Sequence, residues 1–211
     1  MPTLTQAQSW YKSSDGVHDF EHVQRVYFMA SRLAPLENAD LEIVQAAALL
    51  HDVSGSEAGS AARVEHHIYS AEFALPILDA EGWIPERIAA VQHCIRTHRF
   101  RNRGEAPQTI EAKVLFDADK LDVLGALGIA RTIAYAVVAG QPIYAEPSRR
   151  FLESGEKEDG EPHSAYHEHL FKLVKIKERL FTDSAHHIAG QRVQYLCDYF
   201  ERLGKEVRGE L

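Results

Sequence analysis

The segment DLEIVQAAALLHDV, residues 40–53, has the pattern of an apolar helix that ends in two polar residues. Asp40 is a suitable N-cap for this helix. The residues predicted to face the core are Leu41, Val44, Ala47 and Ala48. His51 and Asp52 follow directly after two leucines. A carboxylate buried there is costly unless a positive partner offsets its desolvation, and a divalent metal ion is one such partner. For an isolated His-Asp pair, a polar helix terminus is the alternative explanation.

Helical spacing of apolar residues recurs along most of the chain, whereas the alternation typical of strands is almost absent. The segment FEHVQRVYFMASRLA, residues 20–34, carries one apolar stripe, and Pro35 is predicted to stop this helix. Further helices are predicted at about 64–80 and 85–99, and another begins after Thr109 as its N-cap. The sequence therefore predicts an all-α fold.

The second half of the chain contains a break and a long loop. Gly125 and Gly128 weaken the segment after Thr109, so we expect two helices there rather than one. The stretch GQPIYAEPSRRFLESGEKEDGEP is rich in Pro, Gly and charge and lacks a sustained apolar period. Two closing helices are predicted at about 164–181 and 184–207, with Ser164 and Asp183 as caps. The predicted divisions are a core at about 18–140, a loop at 140–163 and C-terminal helices at 164–208, within one domain over 1–211.

The composition is in the ordinary range of globular proteins, with 45% hydrophobic and 26% charged residues. The formal charge is −8 and no Lys/Arg stripe is present, which argues against duplex nucleic acid as a partner. No apolar run approaches the ~18 residues of a membrane span, and the N-terminus lacks the pattern of a secretory signal. Only two cysteines are present, which disfavours a disulfide framework or a thiolate metal site. We therefore expect a cytoplasmic protein that does not associate with a membrane.

Two other polar residues lie in apolar helical segments. His22 is one residue from the apolar stripe of its helix, and Asp119 interrupts the run VLFDADKLDVLG. If these two helices converge with the one that precedes His51, two imidazoles and two carboxylates surround one point. Such a donor set suits a borderline or hard divalent cation.

Three segments in this order, HVQRV (22–26), AALLHDV (47–53) and FDADKLD (116–122), resemble the signature of the HD-domain metal-dependent phosphohydrolases. Later segments are similar to a small bacterial branch of that family with nucleotide pyrophosphohydrolase-like members. The resemblance implies a helical bundle of HD type and a divalent metal, which can be Mn, Mg, Fe, Co, Ni or Zn. The implied ligands are His22, His51, Asp52 and Asp119, and Asp52 is the position that can bridge two ions in two-metal relatives.

Two further histidines are candidates for the same site. The segments VEHHIYSAEFA and VQHCIRTH resemble stretches where some HD enzymes supply additional histidines. His67 and His98 continue the apolar faces of their helices, so each can point toward the centre. Their alternatives are ligation of a second metal, contact with the leaving phosphate, or plain packing. His66 and His93 are predicted to face solvent.

Lys120 and Arg25 are candidates to bring positive charge to a phosphate, and an ion pair with a neighbouring carboxylate is the alternative for each. One position departs from the family pattern. Relatives often have an acidic residue three positions after the Asp of the pair, where this chain has Gly55. Glu57 is a candidate to replace it, so the identity of the general base stays open.

The resemblance implies a hydrolase that cleaves a nucleotide phosphate ester or anhydride with metal-activated water, Asp52 or a nearby carboxylate accepting the proton. The reaction is either conversion of a nucleoside triphosphate to monophosphate and pyrophosphate or a nucleotide phosphatase activity. A two-metal phosphodiesterase acting on a cyclic or short oligonucleotide is the second alternative. The third is a non-catalytic nucleotide- or metal-binding regulator, which Gly55 favours. The oligomeric state stays open, a homodimer included.

Overall fold

The computed structural model describes residues 1–11, 20–54, 65–100 and 104–211. The described residues form ten α-helices and one 3-10 helix with no strand among them, so the predicted all-α class is confirmed. The α-helices are α1 (Leu4–Trp10), α2 (Phe20–Leu36), α3 (Leu41–Leu50), α4 (His66–Ala80), α5 (Pro85–Thr97), α6 (Ile110–Leu121), α7 (Gly125–Val138), α8 (Arg149–Ser154), α9 (Ala165–Phe171) and α10 (Asp183–Val207). The 3-10 helix spans Leu173–Arg179.

The chain forms two compact units. The first consists of Met1–Asp122 and Leu180–Ala185, and the second of Val123–Arg179 and His186–Leu211. That residues 1–211 form a single domain stays a prediction. Among the described helices, none is by itself both long and apolar enough to cross a bilayer, and only α6 and α7 taken together across a bend meet such a criterion.

Helix α3 lies at the centre of the first unit, where it contacts α1, α2, α4, α5 and α6. Seven of its ten residues are buried. The side chains of Leu49 and Leu50 are completely buried, which stabilises the unit by roughly 1.5–3 kcal/mol each. Leu41, the first residue of α3, was predicted to face the core but is 44% exposed.

Several helix boundaries differ from the predicted ones. Pro35 does not stop α2, which continues to Leu36 and closes with Asn38 at a positive φ of 55°. The Ala39 N–H then donates to Ala34 O at 2.9 Å, the hydrogen bond typical of a left-handed helix end. The predicted N-caps are confirmed at three helices, where a side-chain oxygen accepts a backbone N–H: Asp40, Thr109 and Ser164.

Two features of the first unit lie outside the sequence predictions. Helix α1 begins with a capping box in which Thr3 accepts from Gln6 N and the Gln6 side chain accepts from Thr3 N. The completely buried Asp117 accepts hydrogen bonds from Phe181 N and from both Thr182 N and Oγ1. Asp117 therefore holds Phe181 and Thr182, the two residues that precede α10, against α6. Asp183, predicted to cap α10, is instead its first helical residue.

In the second unit, the predicted break between two helices is confirmed, since α7 starts at Gly125. The loop predicted at 140–163 contains helix α8, Arg149–Ser154, which was too short to show an apolar period. Gly155 ends this helix at φ 77°, a conformation in which glycine avoids the strain of a side chain. His167 and His169 of this unit are buried, with exposed fractions of 0% and 4%.

Candidate metal centre

The centre forms where helices of the first unit end. His22 lies in the first turn of α2, and Asp119 lies in the last turn of α6. His51 and His98 are the C-cap residues of α3 and α5, and His66 is the first residue of α4. Three of these helices, α3, α5 and α6, present their C-terminal ends, whose dipoles favour a cation.

The orientation of His51 is fixed by its own helix. Its Nδ1 donates to Ala48 O at 2.8 Å, so Nε2 carries the lone pair and is directed away from α3. The neighbouring carbonyl, Leu49 O, accepts a hydrogen bond from the Tyr11 hydroxyl at 2.9 Å. These two contacts satisfy carbonyls that the helix end would leave without partners. The end of α3 is therefore held in place just before Asp52.

We call His22, His51 and Asp119 the first cluster, because one ligand atom from each lies within 4.8 Å of the others. His22 Nε2 lies 3.3 Å from Asp119 Oδ1. Asp52 Oδ2 faces the same cluster, at 3.9 Å from His22 Nε2 and 3.7 Å from His51 Nε2. The structure thus brings together the four side chains that the sequence predicted as metal ligands. Their role as ligands stays a prediction.

Asp122 supports the first cluster and was not assigned a role from the sequence. His22 Nδ1 donates to Asp122 Oδ2 at 2.7 Å. Arg25 holds the same carboxylate with two hydrogen bonds, from Nε at 2.7 Å and from Nη2 at 3.2 Å. A carboxylate behind a histidine fixes the ring so that Nε2 faces the site, an arrangement common at metal centres. The segment FDADKLD contained the signal, since Asp122 follows Asp119 by one helical turn.

Asp52, His66 and His98 form a second cluster, whose ligand atoms also lie within 4.8 Å of one another. Asp52 Oδ1 lies 2.9 Å from His66 Nε2 and 3.3 Å from His98 Nε2. The two imidazole Nε2 atoms are 3.3 Å apart. Asp52 therefore directs one carboxylate oxygen toward each cluster.

The prediction that His66 faces solvent is wrong, since it is 6% exposed and belongs to the second cluster. His67, the predicted candidate, lies beside the cluster instead, with its ring centroid 6.5 Å from that of His98. The placement of His98 agrees with the predicted direction, as it is 2% exposed. His93 is also not free in solvent, because its Nδ1 lies 2.6 Å from Glu105 Oε1.

Lys120 and Arg25 both pair with carboxylates of the centre. The Lys120 ammonium contacts Asp119 and donates to His98 O at 3.2 Å. Arg25 binds Asp122, as described above. These contacts are the ion pairs that the sequence left open as the alternative for each residue. Direct contact of either side chain with a phosphate stays a prediction. Gly55 and Glu57 lie outside the described residues.

The histidines of the first cluster have opposite electrostatic environments. Burial alone lowers the pKa of His22, but its contacts with Asp119 and Asp122 raise that pKa to about 9. Burial lowers the pKa of His51 to about 4. In the metal-free protein at neutral pH, His22 is therefore an imidazolium and His51 is neutral.

The carboxylates of the centre stay ionised. Burial alone raises the pKa of Asp52, but the surrounding imidazoles, His51 foremost, hold it well below its usual range. Burial alone also raises the pKa of Asp119, but the ammonium of Lys120 and the imidazole of His22 hold that pKa well below its usual range. Two negative charges are thus present in a largely buried site.

These residues fit a divalent cation. His51 Nε2 is a buried side-chain atom without a hydrogen-bond partner. A buried polar atom without a partner costs about 1–3 kcal/mol, and a cation at the centre offsets this cost. Imidazole nitrogens with carboxylate oxygens suit borderline and hard dications. The donor set is compatible with each of the expected ions, Mn, Mg, Fe, Co, Ni and Zn.

Comparison with known proteins agrees with this geometry. The HD domain family model matches residues 19–124, a range that contains every residue of the two clusters. Ribonuclease Y of Chloroflexus aurantiacus is 30% identical over 111 residues, which are 53% of this chain and 19% of that protein.

The similarity to two other proteins covers nearly the whole chain. The uncharacterized protein YpgQ of Bacillus subtilis is 32% identical over 209 residues, which cover 97% of this chain and 92% of that protein. The crystal structure of YpgQ in complex with ADP has a TM-score of 0.75 at 31% identity, covering 98% of this chain and 99% of that one. An HD-superfamily hydrolase from Bacillus thuringiensis has a TM-score of 0.73 at 27% identity, covering 97% and 94%. The chain therefore belongs to the HD domain family.

Proposed function

We propose that the protein is a metal-dependent phosphohydrolase that cleaves a phosphate ester or anhydride bond of a nucleotide. The observation that carries this proposal is the position of Asp52, which is buried between two clusters and directs one oxygen toward each. When bound, a divalent cation lowers the pKa of water and polarises a phosphoryl oxygen. The residues that would hold it are His22, His51, Asp52 and Asp119.

The side chains of the centre have distinct roles in this proposal. Asp52 serves as a metal ligand, and Asp52 or a nearby carboxylate accepts the proton of the attacking water. Arg25 orients His22 through Asp122, and Lys120 orients Asp119. In the metal-free protein, the charged side chains of Arg25 and Lys120 therefore orient metal ligands.

A nucleotide is the substrate class that the comparisons favour. YpgQ, which is similar over nearly the whole chain, has been crystallised with ADP. We propose that a nucleoside triphosphate is cleaved to monophosphate and pyrophosphate, or that a nucleotide is dephosphorylated. Which bond is cleaved follows from whether pyrophosphate or phosphate is released.

The test is a panel of nucleoside mono-, di- and triphosphates and simple phosphomonoesters, incubated with protein loaded with Mn²⁺. Phosphate and pyrophosphate are measured separately. Asp52→Asn keeps the size of the side chain and removes its charge, and we expect it to lower turnover at least about a hundredfold. Asp79→Asn, at an exposed position of α4, is the matched control and should retain activity. Equal turnover of wild type and Asp52→Asn on every compound refutes the proposal.

A second candidate is cleavage of a phosphodiester, which the presence of two adjacent clusters favours. Paired cations can bind both the attacking and the leaving oxygen of an in-line displacement. Ribonuclease Y, which is 30% identical over 111 residues of this chain, is by its name a ribonuclease. Cyclic dinucleotides and short oligonucleotides in the same panel separate the candidates. Turnover confined to them supports the phosphodiesterase and excludes the nucleotide phosphohydrolase.

A further inference from the structure

Arg99 follows directly after His98 and contacts the other histidine of the second cluster. Its Nη1 lies 3.0 Å from His66 Nδ1, in hydrogen-bond geometry. A guanidinium group has only donors. His66 Nδ1 is therefore the acceptor, and the ring proton of His66 resides on Nε2, the atom that faces Asp52.

The hydrogen bonds of His98 agree with this assignment. His98 Nδ1 lies 2.6 Å from Ile95 O, and because a carbonyl can only accept, Nδ1 carries the proton. His98 Nε2 then has a lone pair, and it accepts from His66 Nε2 at 3.3 Å. One chain of hydrogen bonds thus runs from Arg99 through His66 and His98 to Ile95.

His66 differs in this respect from the other three histidines of the centre. His22, His51 and His98 each direct Nδ1 toward an oxygen, of Asp122, Ala48 and Ile95 respectively. In His51 and His98 that pattern leaves the lone pair on Nε2, and in His22 it does so once the imidazolium releases its Nε2 proton. His66 has the opposite tautomer, with a proton on the atom that a cation would need.

We propose that Arg99 closes the second cluster to a cation, so that the centre binds one ion at the first cluster until Arg99 leaves His66. This inference rests on the proposed metal-dependent function and concerns how the same centre is regulated. Arg99 forms stronger hydrogen bonds with an anionic oxygen than with a neutral imidazole. A phosphate that reaches Arg99 therefore releases His66 Nδ1, and His66 changes tautomer and becomes a ligand. Arg99 thus couples the arrival of a phosphate to binding of the second ion.

The first test counts Mn²⁺ bound per chain by equilibrium dialysis and elemental analysis, without substrate turnover. We expect one ion in the wild type and two in Arg99→Met. Arg96→Met is the matched control, because it removes the same charge from the same region but Arg96 binds Glu105 instead. We expect it to bind one ion. The proposal is overturned if the wild type binds two ions or if Arg99→Met binds only one. It is also overturned if Arg96→Met binds a second ion, because the effect would then come from the lost charge alone.

The second test adds inorganic phosphate to the same samples. We expect the wild type to bind the second ion in its presence and the count for Arg99→Met to stay unchanged. A wild-type count that does not respond to phosphate refutes the coupling.

A third measurement reports the tautomer directly and requires no variant of Arg99. Nitrogen-15 NMR of the imidazole rings in the metal-free protein distinguishes a proton on Nε2 from one on Nδ1, and the His66 signals are assigned by their loss in His66→Gln. We expect the proton on Nε2. A proton on Nδ1 overturns the proposal whether or not the protein hydrolyses nucleotides. If the protein does not hydrolyse nucleotides but shows the expected tautomer and ion counts, the proposed function fails and the role of Arg99 is still supported.

Discussion

Binding of a cation to the first cluster is expected to release a proton from His22. The pKa of His22 is about 9, because the carboxylates of Asp119 and Asp122 offset its burial. Its Nδ1 donates to Asp122, and its Nε2 faces Asp119 at 3.3 Å. A metal ion needs the Nε2 lone pair, so the proton must leave. His51, with a pKa of about 4, is already neutral above pH 6 and contributes no proton.

The size of the effect follows from the pKa of His22. Below a pKa of about 9, each fall of one pH unit is expected to weaken metal binding about tenfold. At pH 7 the affinity is therefore about a hundredfold below its value at high pH, which corresponds to about 3 kcal/mol. The logarithm of the association constant should rise with a slope near one between pH 6.5 and 8.5.

Isothermal titration calorimetry with Mn²⁺ checks this prediction. Titrations at pH 7.5 in two buffers of different ionisation enthalpy give the number of protons released, which should be about one per ion. Asp122→Asn removes the charge that stabilises the imidazolium, so its pKa should fall and both the slope and the proton release should decrease. The exposed Asp79→Asn variant should behave as the wild type does. A wild-type affinity that is constant from pH 6.5 to 8.5, with no proton released, refutes the reasoning.

Three further predictions concern stability, measured as the free energy of unfolding of the metal-free protein in urea. Tyr11→Phe removes the hydroxyl that donates to the last turn of α3 and should cost about 1–2 kcal/mol; an unchanged value would show that water replaces the hydroxyl. Burial lowers the pKa of His169 to about 4, so its contribution to stability is present above pH 6.5 and is lost as the pH falls toward 4. His169→Leu should therefore reduce the loss of stability between pH 7 and 4.5 by about 1–2 kcal/mol, and an identical pH dependence contradicts this. In Gly155→Ala, a φ of 77° is combined with a Cβ only 1.8 Å from Phe171 Cε2, so the substitution should cost about 2–4 kcal/mol. Gly160→Ala has a φ of 82° but open space around the Cβ, and it should cost about 1 kcal/mol. Equal costs for the two variants would exclude the clash with Phe171 as the cause.

The convergence of the four proposed ligands was accessible to sequence reasoning. His22, His51, Asp52 and Asp119 each stand out as polar groups in apolar helical segments, and the burial of a polar group demands a partner. Their order along the chain matched a known family signature. Three helix caps and the break at Gly125 were also predictable, because each depends on local backbone chemistry.

The contacts that orient these ligands were less accessible. Asp122 lies 100 residues from His22, and Arg99 lies 33 residues from His66. Pairings over such distances follow from tertiary packing and leave no period in the sequence. Tyr11 belongs with them, since its hydroxyl reaches a carbonyl 38 residues away.

The choice between His66 and His67 shows why apolar periodicity describes a helix body better than a helix end. Leu75 is 49% exposed although it is apolar, so the apolar residues of α4 do not mark one buried face. Successive residues on a helix differ by about 100° in direction, and an error of one position exchanges the two histidines. Helix α5 was predicted to continue to about residue 99, but it ends at Thr97 with His98 as its C-cap. Every ligand of the candidate centre lies within a turn of a helix terminus, where the predicted boundaries were uncertain by one or two residues. The side chains that matter most to the chemistry are therefore the ones for which a period of 3.6 residues is least informative.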